Sequence, residues 1–537
     1  MLAQINSTVG DFKGNFEKIR RVLADSGDAD LVVFPECSLS GYPPQDLLDY
    51  KRFAETSEWY ANQLVEAEPK KSFIFGSVEK NVEMGRPYRN VAIFSSHGKI
   101  IGKYFKRLLP SYDVFDEDRF FEAGRSALIV PFQGEKIAIT ICEDIWSEAV
   151  GTFLHNRYQQ NPLEDSKNAT LHINLSASPF EYAKVKAKRE MLERIVSRYK
   201  IPFLYVNSVG ANDSLIFDGR TYAWDAEGKL LAEGKAFQED LIKIDLKSES
   251  KSLSYSENSD IKNIYDALIL GIQDYCRKQN FSSVVLGLSG GIDSSVVACL
   301  AGDALGADNV FGVLLPSRFT SSHSNEDAIA LAKATQSPVH ILAIEEVFQA
   351  CLRTLSKTFE GCEPNVTEEN LQSRTRGILL MAISNKFGNL LLTTGNKSEL
   401  AVGYCTLYGD MCGGLAPISD LYKTQVYELG REANRRAKRI PERVFEKAPT
   451  AELRENQFDQ DTLPPYERLD KILKALLEDF SSPEDLANQG FDLAEVQKIS
   501  QWLNQTEYKR FQMPLGLKVS SKAFGIGRRL PLVSRFS

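Results

Sequence analysis

The run Ser283-Val-Val-Leu-Gly-Leu-Ser-Gly-Gly-Ile-Asp-Ser294 constrains the fold more than any other stretch of the chain. A short apolar strand passes into a loop of glycine and serine. The loop opens a helix predicted over Ser295–Ala304, and a further strand follows at Val310–Leu315. Strand, loop, helix and strand in that order call for parallel strands joined by right-handed crossovers, with binding loops gathered at the C-terminal ends of the strands. Small residues in the loop let backbone N–H groups come close to a phosphate, and the helix N-terminus adds partial positive charge. No Gly-Lys-Ser/Thr follows, so the loop is not a Walker A loop, and it does not fit G-x-G-x-x-G either.

A chain of 537 residues is too long for one core, and two domains are expected. Residues 246–260 hold six serines among charges and almost nothing that can fill a core. They read as a linker, giving domains at 1–245 and 263–537 with the linker over 246–262. Before the linker, short apolar runs at 31–34, 72–76, 91–94, 136–141, 171–175 and 203–207 read as buried strands. A helix is predicted from Tyr182 to Lys200, with Met191, Leu192, Ile195 and Val196 on its apolar face. Strands mixed with helices imply an α/β sandwich with helices covering buried sheets. After the linker comes a helix over 261–278. The basic tail from Leu515 to Ser537 lacks periodicity and suggests no element.

The net charge of −8 argues against nucleic acid or an anionic membrane as partner. No apolar run reaches membrane-spanning length, and Met1–Gly10 lacks the pattern of a secretory leader, so a cytoplasmic location is expected. The eight cysteines form no C-x-x-C pair, and the five histidines, at 97, 155, 172, 323 and 340, lack ligand spacing. A zinc site is not expected.

Three segments of the first half carry reactive groups near strand ends: Phe34-Pro-Glu36, Lys103-Tyr-Phe-Lys106-Arg-Leu-Leu-Pro110 and Ile141-Cys142-Glu-Asp144. A thiol that attacks an amide must give up its proton, and a carboxylate can take it. The oxyanion that forms needs a cation or N–H donors. Glu36, Lys106 and Cys142 supply these parts. Together and in this order, the segments resemble the nitrilase/carbon-nitrogen hydrolase superfamily. That resemblance implies an αββα sandwich, with Glu36 as general base, Lys106 on the oxyanion and Cys142 as nucleophile. Leu108 stands where many nitrilases carry histidine. The stretch Pro110-Ser-Tyr112-Asp-Val-Phe115-Asp-Glu117 is similar to the glutamine segment of NAD synthetase amidase domains. It implies that Tyr112 contacts glutamine, with Phe115 and Glu117 flanking the pocket. Ser178-Pro-Phe-Glu-Tyr-Ala-Lys184 resembles a second glutamine segment and implicates Ser178 and Lys184.

The loop at 287–294 is similar to S-G-G-x-D-S, the pyrophosphate loop of ATP-pyrophosphatases, whose Rossmann-like, adenine nucleotide alpha hydrolase-like parallel sheet is therefore expected for the second domain. The resemblance assigns ATP to Gly287, Leu288, Ser289, Gly290, Gly291, Ile292, Asp293 and Ser294. Leu391-Leu-Thr-Thr394-Gly-Asn-Lys-Ser-Glu399, Glu369-Asn370-Leu-Gln-Ser-Arg-Thr-Arg376, Tyr408–Lys423 and Glu507-Tyr-Lys509-Arg510 resemble further segments of NAD synthetases. They imply Thr394 and Lys423 for ATP, Asn370, Glu399 and Lys509 for deamido-NAD, and Asp293 and Glu399 for Mg2+. The family precedent is a homo-oligomer, at least a dimer through the synthetase domain. The implied chemistry joins hydrolysis of L-glutamine to ATP-dependent amidation of deamido-NAD. Two alternatives stay open: another ATP-pyrophosphatase amidotransferase, or an ammonia-only synthetase with an idle amidase. An asparagine synthetase needs an amino-terminal cysteine, and a GMP synthetase pairs its cysteine with histidine.

Overall fold

Alternation of side chains across short strands builds the first part of the protein. In the computed structural model, β1 (Leu2–Gln4), β2 (Val32–Val33), β3 (Phe73–Lys80), β4 (Tyr88–Ser96) and β5 (Lys99–Phe105) lie side by side. The model describes residues 1–148, 158–247, 253–256 and 258–534, and falls into two units, Met1–Asn258 and Ser259–Ser537. A second sheet has the order β13 (Leu230–Glu233), β12 (Tyr222–Trp224), β9 (Phe203–Asn207), β8 (Leu171–Ser176), β7 (Glu135–Ile141) and β6 (Leu128–Phe132). A hairpin of β10 (Val209–Asn212) and β11 (Leu215–Asp218) stands apart, and β14 (Asp240–Ile242) pairs with β1 to finish the first sheet.

With a side-chain period of two, each strand serves two layers. Ile74 and Phe94 join Ile139, Ile173 and Leu175 between the sheets. Phe73 and Phe75 point the other way, against Ile19, Leu23 and Leu64 of α1 (Phe12–Asp25) and α2 (Lys51–Ala67). On the outer face of the second sheet, Met191, Leu192, Ile195 and Val196 of α3 (Lys184–Tyr199) pack on Phe203, Tyr222 and Trp224. The result is an αββα sandwich, and complete burial of each aliphatic side chain contributes about 1.5–3 kcal/mol.

The serine-rich segment is more than a spacer. Leu253 donates its N–H to the Leu230 carbonyl (3.0 Å), Ser256 donates to Glu233 (2.7 Å), and the Tyr255 hydroxyl meets Glu193 of α3. Residues 248–252 and 257 lie outside the described residues. Ser259 then caps α4 (Asp260–Lys278), accepting from the Lys262 N–H.

The second unit centres on a wholly parallel sheet. Its order is β17 (Val339–Ile341), β16 (Val310–Leu314), β15 (Val284–Gly287), β18 (Leu390–Leu391). The chain turns toward β16 after β15 but places β18 on the other side, so the loop after β15 opens at the point where strand order reverses. That loop leads into α5 (Ile292–Leu305), which begins three residues before the predicted start. The cause is local: Gly291 is the cap, so Ile292, Asp293 and Ser294 already belong to the first turn, where polar side chains serve the loop. The tail forms β20 (Leu515–Gly516), parallel to β19 (Leu415–Ala416). Among the described residues, no helix is long and apolar enough to cross a membrane.

His172 of β8 is buried against Phe203, ring centroids 5.2 Å apart, and burial pushes its imidazole down from 6.5 to about 3. Between those values the unfolded chain binds a proton that the folded chain does not, so stability falls as pH falls. The unfolding free energy of the native protein minus that of His172→Leu is expected to shrink by about 1.4 kcal/mol per pH unit below 6.5 in urea titrations. A gap independent of pH rules out the imidazole as the titrating group.

Candidate active sites

Glu36, Lys106 and Cys142 each follow the end of a strand, β2, β5 and β7 respectively. The turn at Glu36–Cys37 lies so close to β3 that a Cβ on Gly76 would stand 2.2 Å from the Cys37 nitrogen, which makes glycine obligatory there. Lys106 is fixed by its N–H on the Asn90 carbonyl (3.0 Å). Cys142 has a φ of 41°, a left-handed conformation that turns the chain out of β7.

Glu36 and Lys106 pair in a buried centre, and the buried Cys142 thiol lies within reach of both charges. Lys106 Nζ donates to Glu36 Oε1 (2.8 Å) and to Glu117 Oε1 (2.7 Å). Glu36 also accepts from Asn90 Nδ2 (2.7 Å) and from the Ala177 N–H (2.9 Å), and Tyr42 donates to Glu117 (2.7 Å). Burial opposes the charge on Lys106, but Glu117 and Glu36 outweigh it and hold the ammonium well above its ordinary range. Two carboxylates share this one cation. Burial, reinforced by the Glu36 charge against the pull of Lys106, lifts Glu117 to about 7. Burial and the Glu36 charge also push the Cys142 thiol well up, with Lys106 opposing. At neutral pH the group at rest is a thiol, and attack by sulfur requires transfer of its proton to a base.

Glu117, expected at the rim of the pocket, thus sits on Lys106 itself. Tyr112 donates to both Glu143 oxygens (3.0 Å each) and meets the Phe115 ring edge-on at 5.3 Å. Tyr158 shares Glu143 (2.7 Å). Lys184 Nζ lies 4.2 Å from the centre of the Trp146 ring, and the Ser178 N–H is held by Asn207 (2.9 Å). Asp144 was read only as part of the cysteine segment, yet it ties the lysine and cysteine loops together. Its carboxylate accepts from the N–H groups of Arg107 (3.0 Å), Leu108 (2.9 Å) and Ile141 (2.9 Å) and from the Tyr104 hydroxyl (2.8 Å).

In the second unit a cavity of about 310 Å³ opens at the end of β15. Its lining includes all of Gly287–Ser294 together with Thr394, Glu399 and Lys423. Gly290 has a φ of 76°, and a Cβ there would stand 2.1 Å from the Ser324 carbonyl, so the loop needs glycine on both counts. Lys423 Nζ bonds to Asp293 and to Glu399 (3.1 Å). Asn396 holds the other oxygen of Asp293 (2.9 Å). Burial lifts Glu399 to about 8, with Lys423 opposing and Asp293 adding to the rise. Asn370 and Lys509 are not among the lining residues. Asn370 accepts from Thr406 (2.9 Å), and Lys509 donates to the carbonyls of Gly403 (2.7 Å) and Cys405 (2.8 Å). Lys447, Glu452, Arg376 and Asp459 line the cavity too. Lys447 pairs with Glu452 (2.8 Å) and also bonds Ser324. No motif in the sequence singled out Lys447, Glu452 or Asp459, which lie in a polar stretch without periodicity.

Residues 2–253 match the carbon-nitrogen hydrolase family and residues 264–514 the NAD synthase family. A glutamine-dependent NAD(+) synthetase of Synechocystis sp. is 44% identical, the alignment covering 100% of this chain and 98% of the relative. One of Thermotoga maritima is 41% identical over 100% and 98%. The chain belongs to the glutamine-dependent NAD(+) synthetase family. The solved structure of the family member from Acinetobacter baumannii, in complex with adenosine diphosphate, superposes with a TM-score of 0.78 at 36% identity over 99% of this chain and 98% of that one.

The four donors on Asp144 make it the brace of the first centre. In Asp144→Asn the amide NH2 faces N–H or O–H groups, leaving buried donors unsatisfied at a cost of about 1–3 kcal/mol. A urea midpoint lowered in proportion to that loss, at unchanged m-value, is the expected result, and an unchanged midpoint removes Asp144 from this role.

Proposed function

We propose that the first unit releases ammonia from L-glutamine and the second uses it, with ATP, to amidate deamido-NAD to NAD. The reading rests on one observation: a buried carboxylate–lysine–thiol centre and a phosphate-sized Gly/Ser loop at a strand-order switch point occur in one chain of this family. The nicotinate carboxylate is a poor electrophile, and free ammonia is mostly protonated at neutral pH. Each unit answers one of these two difficulties.

In the first unit Glu36 takes the Cys142 proton as sulfur attacks the glutamine amide carbon. Lys106 Nζ faces the oxyanion. Collapse expels ammonia, which leaves with the proton held by Glu36. Water then attacks the thioester, Glu36 takes its proton and returns it to sulfur, and glutamate departs. Tyr112, Phe115, Ser178 and Lys184 hold the glutamine, and Glu117 keeps Lys106 in place.

In the second unit the nicotinate carboxylate attacks the α-phosphorus of ATP, and pyrophosphate leaves against the N–H groups of 287–294 and α5. Ammonia attacks the acyl carbon and AMP departs. Thr394 and Lys423 serve ATP; Asn370, Glu399 and Lys509 serve deamido-NAD. Asp293 and Glu399 suit Mg2+, since the two partly exposed carboxylates already share one cation, and bound Mg2+ would offset phosphate charge. All eight cysteines are unpaired, which suits a cytoplasmic setting.

The deciding assay measures NAD formation from deamido-NAD, ATP and Mg2+, with glutamine or ammonium as nitrogen source. The native chain is expected to use both. Cys142→Ala is expected to keep the ammonium rate and lose the glutamine rate by more than about 10³. Failure of both nitrogen sources with the native chain sinks the substrate assignment.

We also read the chain as a homo-oligomer, at least a dimer through the second unit. Ile341 of β17 is 58% exposed, and Ile378 and Phe387 of α6 (Val366–Phe387) are 61% and 69% exposed, more apolar surface than a solitary edge strand and helix usually leave to water. Sedimentation is expected to give at least twice the 60.1 kDa chain mass, and a smaller mass for Ile378→Glu with Phe387→Glu. A native mass of 60.1 kDa refutes it.

A further inference from the structure

We propose that Asn90 is a positioning residue of the first centre, which selects the oxygen of Glu36 that takes the proton from Cys142. It rests on the reading of Glu36, Lys106 and Cys142 as the glutamine-hydrolysing centre. Asn90 lies on β4, is buried, and has a bond to each part of its surroundings. Its Nδ2 donates to Glu36 Oε1 (2.7 Å), its Oδ1 accepts from the Cys37 thiol (3.7 Å), and its backbone carbonyl accepts the Lys106 N–H (3.0 Å).

The consequence follows from counting lone pairs. Glu36 Oε1 already accepts two donors, Asn90 Nδ2 and Lys106 Nζ, which uses both its in-plane positions. Among the described residues Glu36 Oε2 accepts only from the Ala177 N–H (2.9 Å), which leaves one position open. The proton of Cys142 therefore goes to Oε2. The carboxylate stays fixed while it is charged, because donors on an ionised acceptor form the stronger class of hydrogen bond.

The orientation of the amide is part of the device. Turned over, Asn90 would set its carbonyl oxygen against a carboxylate. The Cys37 thiol, buried beside it, gives Oδ1 a donor on the far side and so favours the working orientation. A residue next to the base in sequence thus acts on it by way of another strand. Asn90 also holds Lys106 through its backbone, which keeps base and cation in register even when the side chain is changed.

The test uses the full chain with Asn90→Asp, which keeps the shape and replaces the amide donor by a carboxyl group, run beside Asn90→Leu, which removes the donor without adding charge and is expected to lower kcat likewise. The expected result is a fall in kcat for glutamine hydrolysis of about tenfold to a hundredfold, with KM within about twofold, because Asn90 does not hold the substrate. Peptide-resolved alkylation of Cys142 is expected to slow in parallel, and ammonium-driven NAD formation to stay unchanged. An unchanged kcat overturns the proposal. If Asn90→Asp also loses the ammonium rate, the fold has suffered and the Cys37 pair decides. Cys37→Ser, which retains a donor to Oδ1, is expected to keep more glutaminase activity than Cys37→Ala, and equal rates overturn the proposal. Cys142→Ala separates the two levels. If it still hydrolyses glutamine, the centre itself was misread. If it does not, and Asn90→Asp runs at the native kcat, only the role of Asn90 fails.

Discussion

The buried ammonium of Lys106 organises the first centre. Removing a charge from water is costly, and the cost is met only when partners lie at hydrogen-bond distance. Glu36 and Glu117 provide them at 2.8 and 2.7 Å, and each is in turn held by a neighbour, Glu36 by Asn90 of β4 and Glu117 by Tyr42 of the loop after β2. Burial, with the Glu36 charge adding to it, keeps Cys142 protonated at rest and Glu117 near its titration point. The sandwich is thus more than a support. Its strand ends converge because the ion cluster fails if any one of them moves away.

The second unit repeats this solution with other residues. Lys423 lies between Asp293 and Glu399, and Lys397, fully buried, lies between Asp420 and Glu478, 3.0 Å from each. The second cluster explains the tail. Asp420 accepts from the N–H groups of Val519 and Ser520 and from the Ser520 hydroxyl, so a segment without apolar periodicity is fixed by hydrogen bonds and by its pairing with β19. Through Lys397 and its neighbours Asn396 and Glu399, the end of the chain braces the wall of the nucleotide-sized cavity.

Much of this was legible in the sequence where local pattern and chemistry coincide. Met191, Leu192, Ile195 and Val196 repeat at helical spacing and do line one face of α3. The loop at 287–294 follows a strand and opens a helix, and so could be placed before any coordinates were known. Partners distant in the chain were not legible. Asn90, Asp144 and Lys447 are ordinary polar residues until folding brings them to Glu36, the lysine loop and Ser324. Glu117 was noticed, but its bond to Lys106 depends on a turn, the Glu117 N–H on the Pro110 carbonyl (3.0 Å), that no periodicity encodes. Tyr255 stood in a stretch read as a spacer because composition reports average polarity, and one aromatic side chain with a partner is enough to dock such a segment.

The ammonium between Asp293 and Glu399 has a consequence for how the second cavity is loaded. Two neighbouring carboxylates with nothing between them repel, but here a buried lysine from the same chain already fills the gap. Any divalent ion that takes this position performs an exchange rather than an addition. Held by Asp293 and Glu399, such an ion would have to displace Lys423, whose ammonium could then follow the negative charge of an incoming phosphate.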